Sequence, residues 1–84
     1  MQQQMIVNYS PTLPDALHQS ALEFEQDAKM AMAAKLYELK RLSSGMAANL
    51  IGMERVEFLL NLSRYGVAIH DISAEELQND FDNA

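Results

Sequence analysis

Residues 47–67 constrain the fold more than any other part of the chain, because they place a small residue, a glycine and two apolar residues at the spacing of two crossing helices. Helices that cross closely need a small side chain on the first helix, which Ala48 supplies, and a turn that accepts positive φ, which Gly52 supplies. Phe58 and Leu62 lie four residues apart and would face inward on the second helix. This spacing predicts a helix-turn-helix, although chance helical hairpins share it.

The longest helix is predicted over residues 20–42. Ser20 and Glu23 form a capping-box pattern, and neither Gly nor Pro follows until Gly45. Such a broadly apolar helix needs cover on more than one side, so a dimer partner, a toxin-like partner and a plain core position all remain open. Its helical stripe consists of the apolar residues that recur at steps of three and four, Ala21, Phe24, Ala28, Met32, Leu36 and Leu39, and it is widened by Ala31, Ala34 and Tyr37.

Two short strands and a last helix are predicted towards the ends of the chain. Residues 5–10 and 67–72 alternate loosely and carry β-branched side chains, as short strands do. A lone two-stranded ribbon is unstable unless it packs on helices, so the strands can pair within one chain or between two. Ser73 with Glu76 repeats the capping-box pattern and predicts a helix in the acidic C-terminal segment.

The fold class is therefore mainly α: a helix-turn-helix domain with a long preceding helix and one or two short β-strands. A chain of 84 residues has a small core, and without cysteine no disulfide can stabilise it. Association is the usual remedy, so a homodimer or a higher homo-oligomer is expected. We divide the single domain 1–84 into an N-terminal strand and turn (1–19), the long helix (20–42), the helix-turn-helix (43–66), and a short strand with an acidic C-terminal helix (67–84).

Charge is unevenly distributed along the chain. The net charge of −6 disfavours a simple electrostatic DNA binder. All six basic residues lie between Lys29 and Arg64 together with three acids, a net +3, whereas the flanks hold nine acids and no Lys or Arg. This pattern fits a centre that faces nucleic acid between acidic, partner-binding ends, and it equally fits an uneven solvated surface.

Enzymatic, metal and membrane functions find little support in the sequence. His18 and His70 are far apart and show no ligand spacing, so no catalytic residue, metal site or cofactor is expected, and His70 is expected to be a surface residue. No apolar run approaches the roughly 20 residues of a membrane span. The start of the chain does not look like a signal peptide, so a cytoplasmic protein is expected. No enzymatic activity is expected either.

Five polar residues are candidates for DNA contact. Arg55 is the best of them, because it lies in the first turn of the second helix, where recognition residues point into the groove. Asn61 would reach a base or a phosphate, and the remaining three would touch the DNA backbone. For each, a capping or surface role is the alternative. The DNA-contact candidates are Ser43, Ser44, Arg55, Asn61 and Arg64.

Leucines in the middle of the second helix argue against DNA contact. Leu59 and Leu60 cannot pair with phosphates or guanines, which weakens direct reading of the major groove. If they are exposed, a protein partner is favoured. Leu77 and Phe81, four residues apart among acids, would lay an apolar stripe either on a basic partner or back on the chain's own core. These four residues are the candidates for partner contact.

Residues 47–67 resemble the C-terminal helix-turn-helix of Fis-like bacterial regulators. The shared residues are the segment "AANLIGM" and the closing "RYG". The departure lies in the middle of the recognition helix, where Fis-like proteins carry basic side chains and this chain has Leu59, Leu60 and Asn61.

A wider resemblance, over nearly the whole chain, is to uncharacterised protein family 0175. These small prokaryotic proteins often resemble antitoxins and are encoded beside PIN-domain toxins. The resemblance implies a helix-turn-helix fold and suggests antitoxin-type work with a PIN-domain-type toxin as partner. The supporting residues are Lys35-Leu36-Tyr37, Ser44-Gly45, Ala47-Ala48, Gly52-Met53, Glu57-Phe58-Leu59 and Gly66.

The sequence therefore predicts a small DNA-associated antitoxin or transcriptional regulator that uses a helix-turn-helix. The alternative is a protein–protein interaction module, toxin-neutralising or oligomerising, whose helix-turn-helix has lost DNA reading. The exposure of Leu59 and Leu60 discriminates between the two.

Overall fold

The computed structural model describes residues 2–70, and most of them are helical. The predicted mainly α class is confirmed. Residues 71–84, which include the predicted C-terminal helix, lie outside the described residues. In chain order the helices are α1 (Thr12–Ala16), α2 (Ala21–Glu38), α3 (Ser44–Leu50), α4 (Arg55–Asn61) and a 3₁₀ helix (Leu62–Tyr65).

Helix α2 begins at the predicted capping box. The Ser20 Oγ accepts a hydrogen bond from the Glu23 N–H at 3.1 Å, and the Ser20 N–H donates to the Glu23 Oε1 at 3.0 Å. The bond from the Ser20 N–H stabilises the carboxylate and lowers the pKa of Glu23 below its usual value. Two N–H groups at the helix start are thereby satisfied, as the sequence predicted.

The ends of α1, α2, α3 and the 3₁₀ helix share one hydrogen-bonding pattern, the Schellman motif, in which one residue adopts a left-handed conformation. At the end of α3, the Met53 N–H donates to the Ala48 carbonyl at 2.9 Å and the Gly52 N–H to the Asn49 carbonyl at 3.2 Å. The left-handed residues there and after the 3₁₀ helix are Gly52 (φ 69°) and Gly66 (φ 70°). Both glycines end their helices where the sequence predicted.

Two of these left-handed positions are not glycine. His18 (φ 56°) follows α1 and Lys40 (φ 61°) follows α2. The Arg41 N–H donates to the Leu36 carbonyl at 2.9 Å, which closes the motif and ends α2 at Glu38. The prediction that this helix runs to residue 42 was therefore wrong, because a lysine in the left-handed region gives no local signal of a helix end.

The buried face of α2 matches the predicted stripe only in part: Ala34 and Tyr37, which widen that stripe, are buried. Ala21, Ala28 and Leu39 are exposed, while Phe24, Met32 and Leu36 are only half-buried. Two apolar stripes overlap on this helix, and only the packing of α3 and α4 decides which one enters the core. The residues of α2 that are buried are Met30, Ala33, Ala34 and Tyr37.

Helices α3 and α4 pack against each other across a turn at residues 51–54, and α3 also packs on α2. Ala48 is buried on α3, and the predicted anchors Phe58 and Leu62 are buried beneath the pair. A Cβ added to Gly52 would meet nothing within 4 Å, so this glycine serves the left-handed backbone of the turn rather than a close contact.

Tyr37 joins α2 to α4 at the centre of the core. Its side chain is fully buried, and its ring meets the ring of Phe58 edge-on, with centroids 5.7 Å apart and planes at 88°. This geometry suits aromatic quadrupoles. The Tyr37 hydroxyl accepts a hydrogen bond from the His70 N–H at 2.8 Å, so the segment after the 3₁₀ helix is held at the same place.

No strand is present among residues 2–70, so the predicted strands are not confirmed. Within the described residues, no backbone hydrogen bond joins residues 5–9 to another segment, and a strand needs a paired neighbour. Residues 67–70 form no strand, and 71–72 lie outside the described range. The N-terminal segment is attached to α2 through Tyr9, whose ring lies 5.0 Å from that of Phe24.

Replacing Lys40 with glycine is expected to stabilise the protein. The left-handed conformation strains any residue with a Cβ, and relief of that strain should raise the free energy of unfolding by about 0.5–1 kcal/mol after the entropy of the glycine is deducted. Urea unfolding followed by circular dichroism measures the change. Lys40→Ala is the control, because it removes the charge and keeps the strain. An equal gain in both variants would contradict the assignment.

Candidate interaction surface on helix α4

The packing of α4 decides which side chains it presents to the outside. Phe58, Leu59 and Leu62 are buried. At 3.6 residues per turn, Val56, Glu57 and Leu60 therefore lie on the opposite side of the helix. Glu57 is exposed, Leu60 is 54% exposed and Val56 is half-buried. We call these three residues the α4 outer face; it is acidic and apolar.

Arg55, the first residue of α4, is tied to the first residue of α3. Its Nε donates a hydrogen bond to the Ser44 Oγ at 2.9 Å. The Ser44 side chain is buried and Arg55 is half-buried, so water competes little with this charge-assisted bond. Two of the predicted DNA-contact residues thus meet each other and hold the starts of two helices together.

The other three DNA-contact candidates also make bonds within the chain. The Ser43 Oγ accepts from the Met46 N–H at 3.2 Å and caps α3. The Asn61 Nδ2 donates to the Glu57 carbonyl at 2.8 Å, and the Asn61 Oδ1 accepts from the Arg64 Nη1 at 3.3 Å. The candidates therefore form two separate groups, one at the α3–α4 junction and one at the end of α4.

The predicted leucine pair is divided between the core and the surface. Leu59 is 2% exposed and belongs to the core, whereas Leu60 is exposed. Adjacent residues on a helix point about 100° apart, so two consecutive leucines seldom share one exposed face. Leu59 is unavailable to a partner in this fold. The other two partner-contact candidates, Leu77 and Phe81, lie outside the described residues.

A cleft of about 640 Å³ lies between the first half of α2 and the turn that joins α3 to α4. We call it the α2–α4 cleft. Its apolar lining includes Met30, Ile51 and Met53. Its charged lining consists of Glu23, Glu25, Asp27 and Glu57 with Lys29 and Arg64.

Tyr65 closes one side of the α2–α4 cleft. Its hydroxyl donates a hydrogen bond to the Asp27 carboxylate, which joins the 3₁₀ helix to α2. Burial raises the pKa of Tyr65 above its usual value, and the hydrogen bond to Asp27 and the negative charge of that carboxylate act in the same direction. The bond spans 38 positions in the sequence, so no local pattern could have predicted it.

Gln19 also lines the α2–α4 cleft, and sequence reasoning missed it. Its N–H donates to the Pro14 carbonyl at 2.9 Å, within the Schellman motif that ends α1. Its side-chain Oε1 is buried and has no hydrogen-bond partner. A buried acceptor without a partner costs about 1–3 kcal/mol, and this cost calls for an explanation.

His70 is exposed, as predicted, and it also packs on Tyr37. The two rings stack with centroids 4.1 Å apart and planes at 12°. The His70 Nε2 lies 2.9 Å from the Tyr37 carbonyl oxygen, which only accepts, so Nε2 carries the proton. These contacts fix the point from which residues 71–84 continue, beside the C-terminal end of α2.

Within residues 2–70, no three His, Cys, Asp or Glu side chains converge as a metal site would require. None of the helices in that range is long and apolar enough to cross a membrane.

Comparison with known proteins identifies the family. The model of the uncharacterised protein family UPF0175 matches residues 1–84. The UPF0175 protein of Aeropyrum pernix is 33% identical to the chain over 72 residues, which cover 86% of this chain and 80% of that protein. No solved structure matches the chain. The resemblance to this family noted in the sequence is thereby confirmed.

The bond between Arg55 and Ser44 is expected to stabilise the fold. Ser44→Ala leaves the Arg55 Nε without its acceptor in a half-buried place, and should lower the free energy of unfolding by about 1–3 kcal/mol. A double-mutant cycle with Arg55→Ala, measured by urea unfolding, isolates the pair. We expect a coupling of about 1 kcal/mol or more; purely additive losses would show that the bond contributes nothing.

Stability is also expected to fall above about pH 10. The pKa of Tyr65 is raised from 10.0 in the fold, so its contribution is complete below the unfolded pKa and is lost as pH rises through the folded pKa. Tyr9, bonded to Glu25, acts with the same sign. The urea concentration at which half of the protein is unfolded should differ less between about pH 9 and about pH 11 in Tyr65→Phe than in the unchanged protein. An identical pH dependence in both would contradict the assignment.

Proposed function

The chain belongs to the uncharacterised protein family UPF0175, and we propose that it is an antitoxin-type protein-interaction module built on a helix-turn-helix scaffold. The α4 outer face carries this proposal. In a DNA reader of this architecture, the outward side of the second helix offers hydrogen-bond donors to bases and phosphates. Here it offers Leu60 and Glu57.

The scaffold itself favours a helix-turn-helix. Helices α3 and α4 are short and join through a tight turn with glycine at its left-handed position. Helix α3 packs on the longer α2, and α4 contacts α2 through the rings of Phe58 and Tyr37. Ala48 lies buried on the first of them, as close packing requires. This arrangement projects the outward side of α4 from the domain, which suits contact with a large partner.

Electrostatics on α4 favour a protein over DNA as that partner. Glu54 and Glu57 are both exposed on its first turns, where they would repel phosphates. The Arg55 Nε is already bonded to Ser44. Covering an exposed leucine such as Leu60 contributes up to roughly 1.5–3 kcal/mol to binding, and only an apolar partner surface provides that cover.

A toxin-type protein is the partner that we propose. The family resemblance suggests it, since relatives of this kind are encoded beside PIN-domain toxins. We further propose that the module acts as a homodimer. The N-terminal segment exposes Met5, Ile6 and Val7, three consecutive apolar side chains, and a second copy would cover them.

A DNA-associated regulator is the second candidate, and the end of α2 supports it. Lys40 and Arg41 are exposed there, next to the exposed cap residue Ser43. These groups suit phosphates, which position a protein on DNA without reading its sequence. A dimer would then hold DNA mainly through charge, and its binding would weaken steeply with salt.

Co-expression with the protein encoded beside this chain tests the proposal. We expect the two to co-elute in gel filtration, and Leu60→Asp to weaken the complex about tenfold or more, because a charge replaces a buried apolar contact. Leu39→Asp is the matched control, since Leu39, the residue that follows α2, is as exposed as Leu60, at 54%. Isothermal titration calorimetry provides both affinities.

Gel-shift assays with the chain's own upstream DNA at about 50 mM and about 200 mM salt complete the test. The proposal predicts no shift at either salt by the chain alone. A salt-sensitive shift that Arg41→Ala weakens, together with equal affinities of the Leu60→Asp and Leu39→Asp variants for the neighbouring protein, would establish the regulator in place of the interaction module.

A further inference from the structure

We infer that the α2–α4 cleft is a docking site for a basic, partly apolar segment of a partner protein. The inference rests on the proposed interaction function and adds a second contact surface to the α4 outer face, together with the chemistry of the segment that fills it.

The charge of the cleft selects a cationic occupant. Four carboxylates and two basic side chains line it, a net charge of −2. The whole chain is also acidic, at −6, so its wider field attracts cations to this opening. A surface with net negative charge repels phosphate groups, which favours a basic peptide over nucleic acid as the occupant.

The carboxylates of the cleft are arranged for a peptide and not for a metal ion. Among residues 2–70, no three acidic or histidine side chains converge on one point. Glu23 already accepts from the Ser20 N–H, Glu25 from the Tyr9 hydroxyl and Asp27 from the Tyr65 hydroxyl. Each carboxylate keeps a second oxygen. Lysine and arginine side chains spaced along a segment can satisfy those oxygens one at a time.

Arginine suits the charge of the cleft. A guanidinium carries five N–H donors and no acceptor, so one arginine of the partner can bond to the free oxygens of more than one carboxylate.

The apolar part of the cleft adds the second requirement, an aliphatic side chain. Ile51 and Met53 are half-buried in its lining, and Leu22 is 64% exposed in the same lining. Methionine adapts its shape to varied partners. A segment that places leucine or methionine next to arginine or lysine therefore meets both halves of the cleft.

The walls of the cleft are already fixed before any partner binds. The capping box holds Ser20 and Glu23 at one end, and the bond from Tyr65 to Asp27 holds the 3₁₀ helix against α2 at the other. A preformed site loses little conformational entropy on binding, which favours measurable affinity even for a short segment.

Titration of the free, isotope-labelled chain with a capped peptide of repeating Leu-Arg-Lys units tests the inference by nuclear magnetic resonance. Amide shifts are expected at Met30, at Ile51 through Met53 and at Tyr65. A peptide of Leu-Glu-Asp units should produce no shifts. Shifts confined to other parts of the chain, equal responses to both peptides, or no response to the basic one would overturn the inference.

Charge substitutions at the cleft sharpen the test. Gln26 lines it and is exposed, so Gln26→Lys should weaken the basic peptide roughly two- to fivefold and Gln26→Glu should strengthen it by a similar factor. Asn49→Lys is the matched control, because Asn49 is exposed on α3 outside the cleft and gains the same charge. Equal effects of Gln26→Lys and Asn49→Lys on peptide affinity would show that the peptide is attracted only by the overall charge of the chain, and would overturn the proposed site.

The test separates this inference from the proposed function. Leu60 does not line the cleft, so Leu60→Asp should leave peptide binding unchanged while it weakens the complex with the neighbouring protein. Peptide binding at the cleft in a chain that forms no such complex would support the site and count against the proposed function. If the complex with the neighbouring protein forms but the basic peptide does not shift the resonances of the cleft residues, the cleft site is overturned and the proposed function is not.

Discussion

The contact between Tyr37 and Phe58 is the interaction on which the rest of the structure depends. It joins α2 to α4 with two fully buried rings, and it determines the rotation of α4 about its own axis. With Phe58 turned inward, Leu60 is turned outward. The same tyrosine holds His70 through its hydroxyl and its ring, so one side chain sets both the outer face of α4 and the position of His70.

Helix ends supply the second constraint. Four of the five helical segments in residues 2–70, namely α1, α2, α3 and the 3₁₀ helix, end in the same left-handed turn. Two of the turns use glycine, while His18 and Lys40 accept strain instead. The strained turn after α2 brings Ser43 and Ser44 to the start of α3, where one caps the helix and the other receives Arg55.

Sequence patterns predicted what local chemistry controls. The capping box at Ser20 and the helix end at Gly52 involve residues within a few positions of each other, and both are confirmed. The end of α2 at Lys40 escaped prediction, since lysine favours continuing a helix. The candidate site could not be predicted from local sequence patterns. Its walls meet through Tyr65 and Asp27, which are distant in sequence, and Arg55 was chosen for DNA although its Nε bonds to a buried serine.

Leu59 and Leu60 are adjacent, yet Leu59 lies in the core and Leu60 on the surface. Their aspartate variants should therefore differ strongly in stability. Urea unfolding of Leu59→Asp should show a loss of about 3 kcal/mol or more, or no folded state, because the charge would be buried. Leu60→Asp should stay within about 0.5 kcal/mol of the unchanged protein, as exposed positions do. Similar losses in both variants, or a larger loss at Leu60, would contradict the orientation of α4 and with it the surface assigned to the partner.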